Sequence, residues 1–222
     1  MKKTLFILIA ALFTLSLTEK PAIPKLEFEY AGVFDQICAG KSGNTMDPKF
    51  VEMARSSTPR FQNYWDESAP NLMTTLFDMT GQEFYRKELT VYTTICDYVP
   101  MSQPFLLNVQ FWIQEDNDRN RRSVVQMTFH EFLHKYLVSV ADWNKIKLVH
   151  GEFKNEDASV KAHLHLMALE MLIYKSAGRQ DLYDTADFVY KNLIKGSYKK
   201  SWELVLEHGP EKFLEDLNQA LK

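Results

Sequence analysis

The residues in this chain best suited to chemistry are His130-Glu131-Phe132-Leu133-His134, inside the run RRSVVQMTFHEFLHKYLVSV. In a helix, side chains at i and i+4 stand one turn apart on one face, the spacing at which two imidazoles can share a metal ion. Glu131 would lie beside that ion, where a carboxylate can take a proton from water. A lone histidine on an apolar face is more often a core residue bonded to a carbonyl. A pair at i,i+4 with a Glu between favours a metal. Five of the six histidines fall between His130 and His165, and that clustering points the same way.

The motif needs a helix to work. Ser123 and Gln126 have the S-x-x-Q pattern of a capping box just before the apolar run. No Pro or Gly interrupts Ser123 to Trp143, and Val125, Phe129, Phe132, Leu133 and Tyr136 recur at helical spacing. Those five residues make an apolar face to anchor the helix. His130 and His134 lie on an adjacent face with Met127 and Leu137.

A catalytic zinc site normally has three protein ligands and an open position. The segment after the motif helix offers candidates. A second long helix is expected from about Asn155 or Glu156 to Ala177, with Asn155 as N-cap and Gly178 as C-cap. Glu156, His163 and Glu170 are seven apart and so share a face of it. If the two helices run antiparallel about a connector centred near Leu148, the residue level with position 132 is about 164, which favours His163 or His165. If the first helix runs on through Ile146, the level shifts toward Glu170. His163 is the first choice, Glu170 the second and Glu156 the third. Glu156 would otherwise be a first-turn acid favoured by the helix dipole. Tyr174, one turn past Glu170, is a candidate for stabilising a developing oxyanion.

With these residues in place the chain resembles the zincin metallopeptidases, in the gluzincin arrangement, where an H-E-x-x-H helix is followed by a second helix bearing the third ligand. The likeness covers about Phe105 to Gly178, and HEFLH is its only specific motif. It implies Zn2+ held by His130 and His134, with Glu131 as general base. It implies a peptidase in which zinc-bound water, activated by Glu131, attacks a peptide carbonyl of a peptide or protein substrate. It also implies that the strand at Phe105 to Ile113 aligns an extended substrate by main-chain hydrogen bonds. Gluzincins take a Glu as third ligand, commonly in N-E-x-x-[SA], and Asn155-Glu156-Asp157-Ala158-Ser159 imitates that pattern. A His in this role would depart from the rule. The extension H-E-x-x-H-x-x-G-x-x-H is absent.

The rest of the chain sets the context. MKKTLFILIAALFTLSLTEK reads as a secretory signal peptide, residues 1–18, too short in its apolar stretch for a membrane anchor. Residues 19–222 then form one domain, periplasmic or secreted, with no integral membrane segment. Losing Lys2 and Lys3 takes the net charge from −3 to −5, and no basic stripe remains for nucleic acid. Cys38 and Cys96, an even pair in an oxidising compartment, read as a disulfide.

Helices are expected over Val33 to Ala39 and from Pro48 through Arg55. Ser57-Thr58-Pro59 reads as a stop, and Arg60 to Met79 as helix broken near Pro70. Glu88 to Val99 and Phe105 to Ile113 are rich in β-branched and aromatic residues and could pair as neighbouring strands. Glu115 to Arg122 reads as a solvated loop; its Asp116-x-Asp118-x-Asn120 lacks the glycine and the closing Glu of a calcium loop. Amphipathic helices over Asp181 to Ile194, Tyr198 to Glu207 and Glu211 to Leu221 complete an α+β chain, mostly helical, with a small sheet beside the motif helix. A rival of another class is a non-catalytic exported helical binding or interaction protein whose H-E-x-x-H is structural or coincidental.

Overall fold

The computed structural model describes residues 22–41, 46–97 and 100–221, so the signal segment lies outside the described residues. The chain is α+β and mostly helical, with one three-stranded sheet. Strand β1 (Lys25–Tyr30) is followed by α1 (Gly32–Lys41) and the long α2 (Pro48–Thr80). Strands β2 (Glu88–Thr94) and β3 (Leu106–Asn108) complete a parallel sheet of order β1-β2-β3.

The expected break at Pro59 does not occur, nor does the one near Pro70. Helix α2 is continuous, capped by Asp47, whose carboxylate accepts from Lys49 N at 2.8 Å, and closed by Gly81 at φ +64°. Each proline in a helix interior costs about 3 kcal/mol. The helix also buries Phe61, Tyr64, Trp65, Leu72, Met73, Leu76 and Phe77. At roughly 1.5–3 kcal/mol for each such side chain, packing outweighs the two prolines.

Both later strands are shorter than their composition suggests. β2 stops at Thr94 because buried Asp35 draws the chain off the sheet, accepting from the Thr94 hydroxyl and from the N–H of Ile95 (3.3 Å) and Cys96 (3.2 Å). The disulfide Cys38–Cys96, with Cα atoms 6.3 Å apart, fixes the same corner to α1. β3 ends as Val109 turns the chain, its carbonyl accepting from Trp112 and Ile113.

The helical part follows. Helix α3 (Asp118–Val140) carries the motif. Its cap is Asn117, whose side chain accepts from Asn120 N at 2.8 Å, so half of the charged segment read as loop is the first turn. Ser123 and Gln126 are therefore interior to the helix and form no capping box. A connector with a short helix α4 (Lys147–His150) leads to α5 (Ala158–Ser176). Asp157 stands at the N-cap of α5, not Asn155. Every residue of α5 from His163 to Tyr174 is buried, as expected of a helix apolar nearly all round that packs on α2, α3, α6, α7 and α8. His134 meets His163 while His130 reaches Glu170, so α3 and α5 run antiparallel. Helices α6 (Gln180–Phe188), α7 (Ser197–His208) and α8 (Pro210–Asn218) cover α5, with a π-helical turn, Val189–Leu193, after α6.

Candidate metal centre

Three imidazoles meet where α3 and α5 cross. One ring nitrogen each from His130, His134 and His163 lies within 4.8 Å of the others. The ring centroids are 5.0 Å apart for His130 and His134, 5.6 Å for His130 and His163, and 4.9 Å for His134 and His163. His130 and His163 are buried and His134 is half-buried.

The surrounding bonds decide which nitrogen each ring presents. The Ser159 carbonyl accepts from His163 Nδ1 at 2.6 Å. Glu170 Oε2 accepts from the Tyr190 hydroxyl at 3.0 Å. His130 Nδ1–H then donates to the Tyr190 oxygen at 2.7 Å and to Glu170 Oε2 at 3.3 Å. Both rings are thereby held with the proton on Nδ1 and a lone pair on Nε2. Those two Nε2 atoms are buried and make no hydrogen bond among the described residues. A buried polar atom without a partner is costly, and two on converging rings are what a metal ion would satisfy. A set of three imidazoles suits zinc, copper, iron or nickel.

The charges agree. Burial, then the nearby His130 and His163, hold His134 down to about 2, and burial holds His163 down to about 4. Both are thus neutral, the ligating form, at ordinary pH. For His130, burial alone would lower the pKa, but the bond to Glu170 and the charges of Glu170 and Glu131 push it up. Glu131, buried at 3% exposure, is itself raised by burial and by Glu170, against the opposing pull of His130 and Lys135.

The other expected ligands are accounted for. Glu170 is turned to the back of His130, where its oxygens also accept from Gln126 Nε2 at 2.8 Å and the Tyr174 hydroxyl at 3.0 Å. It orients a histidine and is not among the three converging groups. Glu156 falls in the turn before α5 begins, so the seven-residue register does not reach it, and it pairs with Lys200 at 2.5 Å. His165 points away, to Asp216 at 3.0 Å. Tyr174 is fully committed to Glu170 and too buried to meet an oxyanion.

Two tyrosines also stand at the centre, and no local spacing in the sequence marks them. Tyr190, from the π-helical turn, fixes His130 as described. Tyr198, in the first turn of α7, lies over the centre, its ring 4.2 Å from His163 and 5.7 Å from His130. Burial and the charge of Glu131 push its hydroxyl up to about 12, so it stays a donor. Ser197 ties this turn to α5 through Ser159 at 2.8 Å.

His134 lines a recess of about 390 Å³ with Leu137, Val138, Trp143, Val149 and Ala162. At the other end of α3, a groove of about 670 Å³ has Gln126 and Met127 on its floor and Asn108 on its wall. β3 is the outer strand of the sheet, but the outward N–H and C=O of Leu106 are bonded to Met101 at 2.8 and 2.9 Å. Of the long edge expected for aligning a substrate, that leaves the stretch at Asn108. Comparison with known protein families, curated proteins and solved structures yields no match.

Proposed function

We propose that the protein is an exported zinc-dependent hydrolase acting on peptide bonds. The observation that carries this reading is the pair of unpartnered Nε2 atoms on His130 and His163, converging with His134 beside the buried carboxyl of Glu131. The Cys38–Cys96 bridge fits export, because disulfides persist in oxidising compartments. Among the described residues no helix is long and apolar enough to cross a membrane.

His130, His134 and His163 would hold the zinc, which acts as a Lewis acid that polarises a carbonyl and makes water easier to deprotonate. Glu131 takes the proton of the attacking water and returns it to the leaving amine nitrogen. Its raised pKa suits it to both steps. Tyr198 donates its hydroxyl hydrogen to the negative charge that develops on the carbonyl oxygen. Glu170 and Tyr190 hold the His130 ring in the ligating tautomer, and the recess beside His134 gives a substrate its way in. A purely structural site has no need of that opening.

Glu131→Gln separates hydrolysis from metal binding. The variant should retain zinc and lose peptide hydrolysis by roughly 10²- to 10⁴-fold, the usual contribution of a general base. A variant that hydrolyses as fast as the wild type would remove Glu131 from the mechanism.

A further inference from the structure

A second recess lies on the other flank of α3, and the catalytic reading does not use it. Exposed Val138 lines both this recess and the one beside His134, and so forms the ridge between them. The second recess is about 480 Å³ and is walled by Gln82, Arg86, Leu89, Gln103 and Lys135. Lys135 stands one turn beyond Glu131, half-buried, with its ammonium over the Phe105 ring at 6.0 Å. Arg86 enters from the segment before β2, its guanidinium over the Tyr85 ring at 5.2 Å.

Both cations line the one recess. Neither forms an ion pair with a carboxylate among the described residues, whereas Lys191, Lys200 and Lys212 are each paired. Glu83 lines the same recess, exposed, and bridges to neither cation. Two unpaired cations on a concave wall, with amide donors from Gln82 and Gln103 beside them, make a receptor for an anion.

The geometry points to this recess as the site that binds a carboxylate of the substrate, held by Lys135 and Arg86. The inference rests on the hydrolase reading. Four residues of helix rise roughly 6 Å, so Lys135 lies about one or two extended residues beyond Glu131. The carboxylate is therefore carried within about two residues of the cleaved bond. It is either an acidic side chain, which makes the enzyme selective within chains, or the terminal carboxylate, which makes it trim chains from the C-terminus.

The test uses the zinc-loaded mature protein and a mixture of decapeptides, acetylated and amidated, varied at every position and read by mass spectrometry. Each Glu peptide has a Gln twin, and each amidated peptide has a free-carboxylate twin. Glu near the cut, or a free terminus near the cut, should raise the cleavage rate roughly tenfold or more, as expected for a charge-assisted bond. Arg86→Met should abolish that preference. A preference for the Glu arm identifies the side chain, and a preference for the free-terminus arm identifies the chain end. Equal rates across both sets of twins would overturn the proposal. If the wild type cleaves nothing, the hydrolase reading fails separately, and fluorescence anisotropy of labelled Glu and Gln twins reads the recess without chemistry. Tighter binding of the Glu twin, lost in Arg86→Met, would sustain it; equal binding or none would overturn it.

Discussion

Helix α5 takes part in two buried histidine–carboxylate pairs, and they do different work. In one, its Glu170 bonds His130 of α3; in the other, its His165 bonds Asp216 of α8. Both imidazoles are at most 1% exposed, and each keeps one ring nitrogen without a hydrogen bond among the described residues. The neighbours differ. Around His130 stand His134, His163, Tyr190 and Tyr198, whereas the rings beside His165 are Trp143 and Phe213. The carboxylates differ too. Glu170 bonds side chains only, while Asp216 also accepts from the N–H of Lys147 and Leu148, both at 3.0 Å, and so fastens α8 to the start of α4. A buried histidine–carboxylate pair is thus not in itself a site. Convergence of free lone pairs is what separates a centre from a clamp.

The sharpest way to break this contrast is metal content. The wild type should bind about one zinc ion per chain. His163→Ala should lose it, whereas His165→Ala should keep it. Zinc lost in both, or in neither, would erase the distinction between the two histidines. Next in size is Tyr198→Phe, which removes a single oxygen. If that hydroxyl meets the developing oxyanion, kcat should fall by roughly 10²- to 10³-fold with zinc content unchanged. A rise in KM alone, or no change, would limit Tyr198 to packing against the imidazoles.

Much of the centre was legible because it is local. His130, Glu131 and His134 share one turn, and the antiparallel return of the next helix, a matter of rise per residue and loop length, brings His163 or His165 level with them. Glu170 and Glu156 competed with His163 because a seven-residue register cannot say where a helix starts. The structure decides this by beginning α5 at Ala158, which leaves Glu156 in a turn and sets Glu170 one level behind the imidazoles. The pattern S-x-x-Q is ambiguous between a cap and a helix interior, and only a cap at Asn117 frees Gln126 to hold Glu170. Tyr190 and Tyr198 were out of reach, being 60 and 68 residues from His130 with no spacing to mark them. In the fold, Pro59 and Pro70 misled for a similar reason. A proline's local cost is visible in sequence, and the tertiary burial that overrides it is not.

The smallest expected effect falls on the clamp, through Asp216→Asn. Burial alone would raise the Asp216 pKa, but the bonds from His165 and from the N–H groups of Leu148 and Lys147 outweigh it and the pKa is lowered. An unfolded Asp titrates near 4. A group depressed on folding adds stability that is present in full above that value and is lost as pH falls through the folded value. The Asn variant keeps the size but weakens the charge-assisted bonds, so it should cost about 1.5–3 kcal/mol near neutrality. For a domain of this size that lowers Tm by roughly 3–12 °C. The gap between variant and wild type should narrow as pH is taken below about 4, because the unfolded wild-type chain then takes up a proton that the folded Asp216 resists until lower pH. Zinc content should be unaffected throughout, since nothing in this clamp touches the three imidazoles. A variant that melts normally but binds zinc poorly would join the two pairs into one network, and the contrast between centre and clamp would fail.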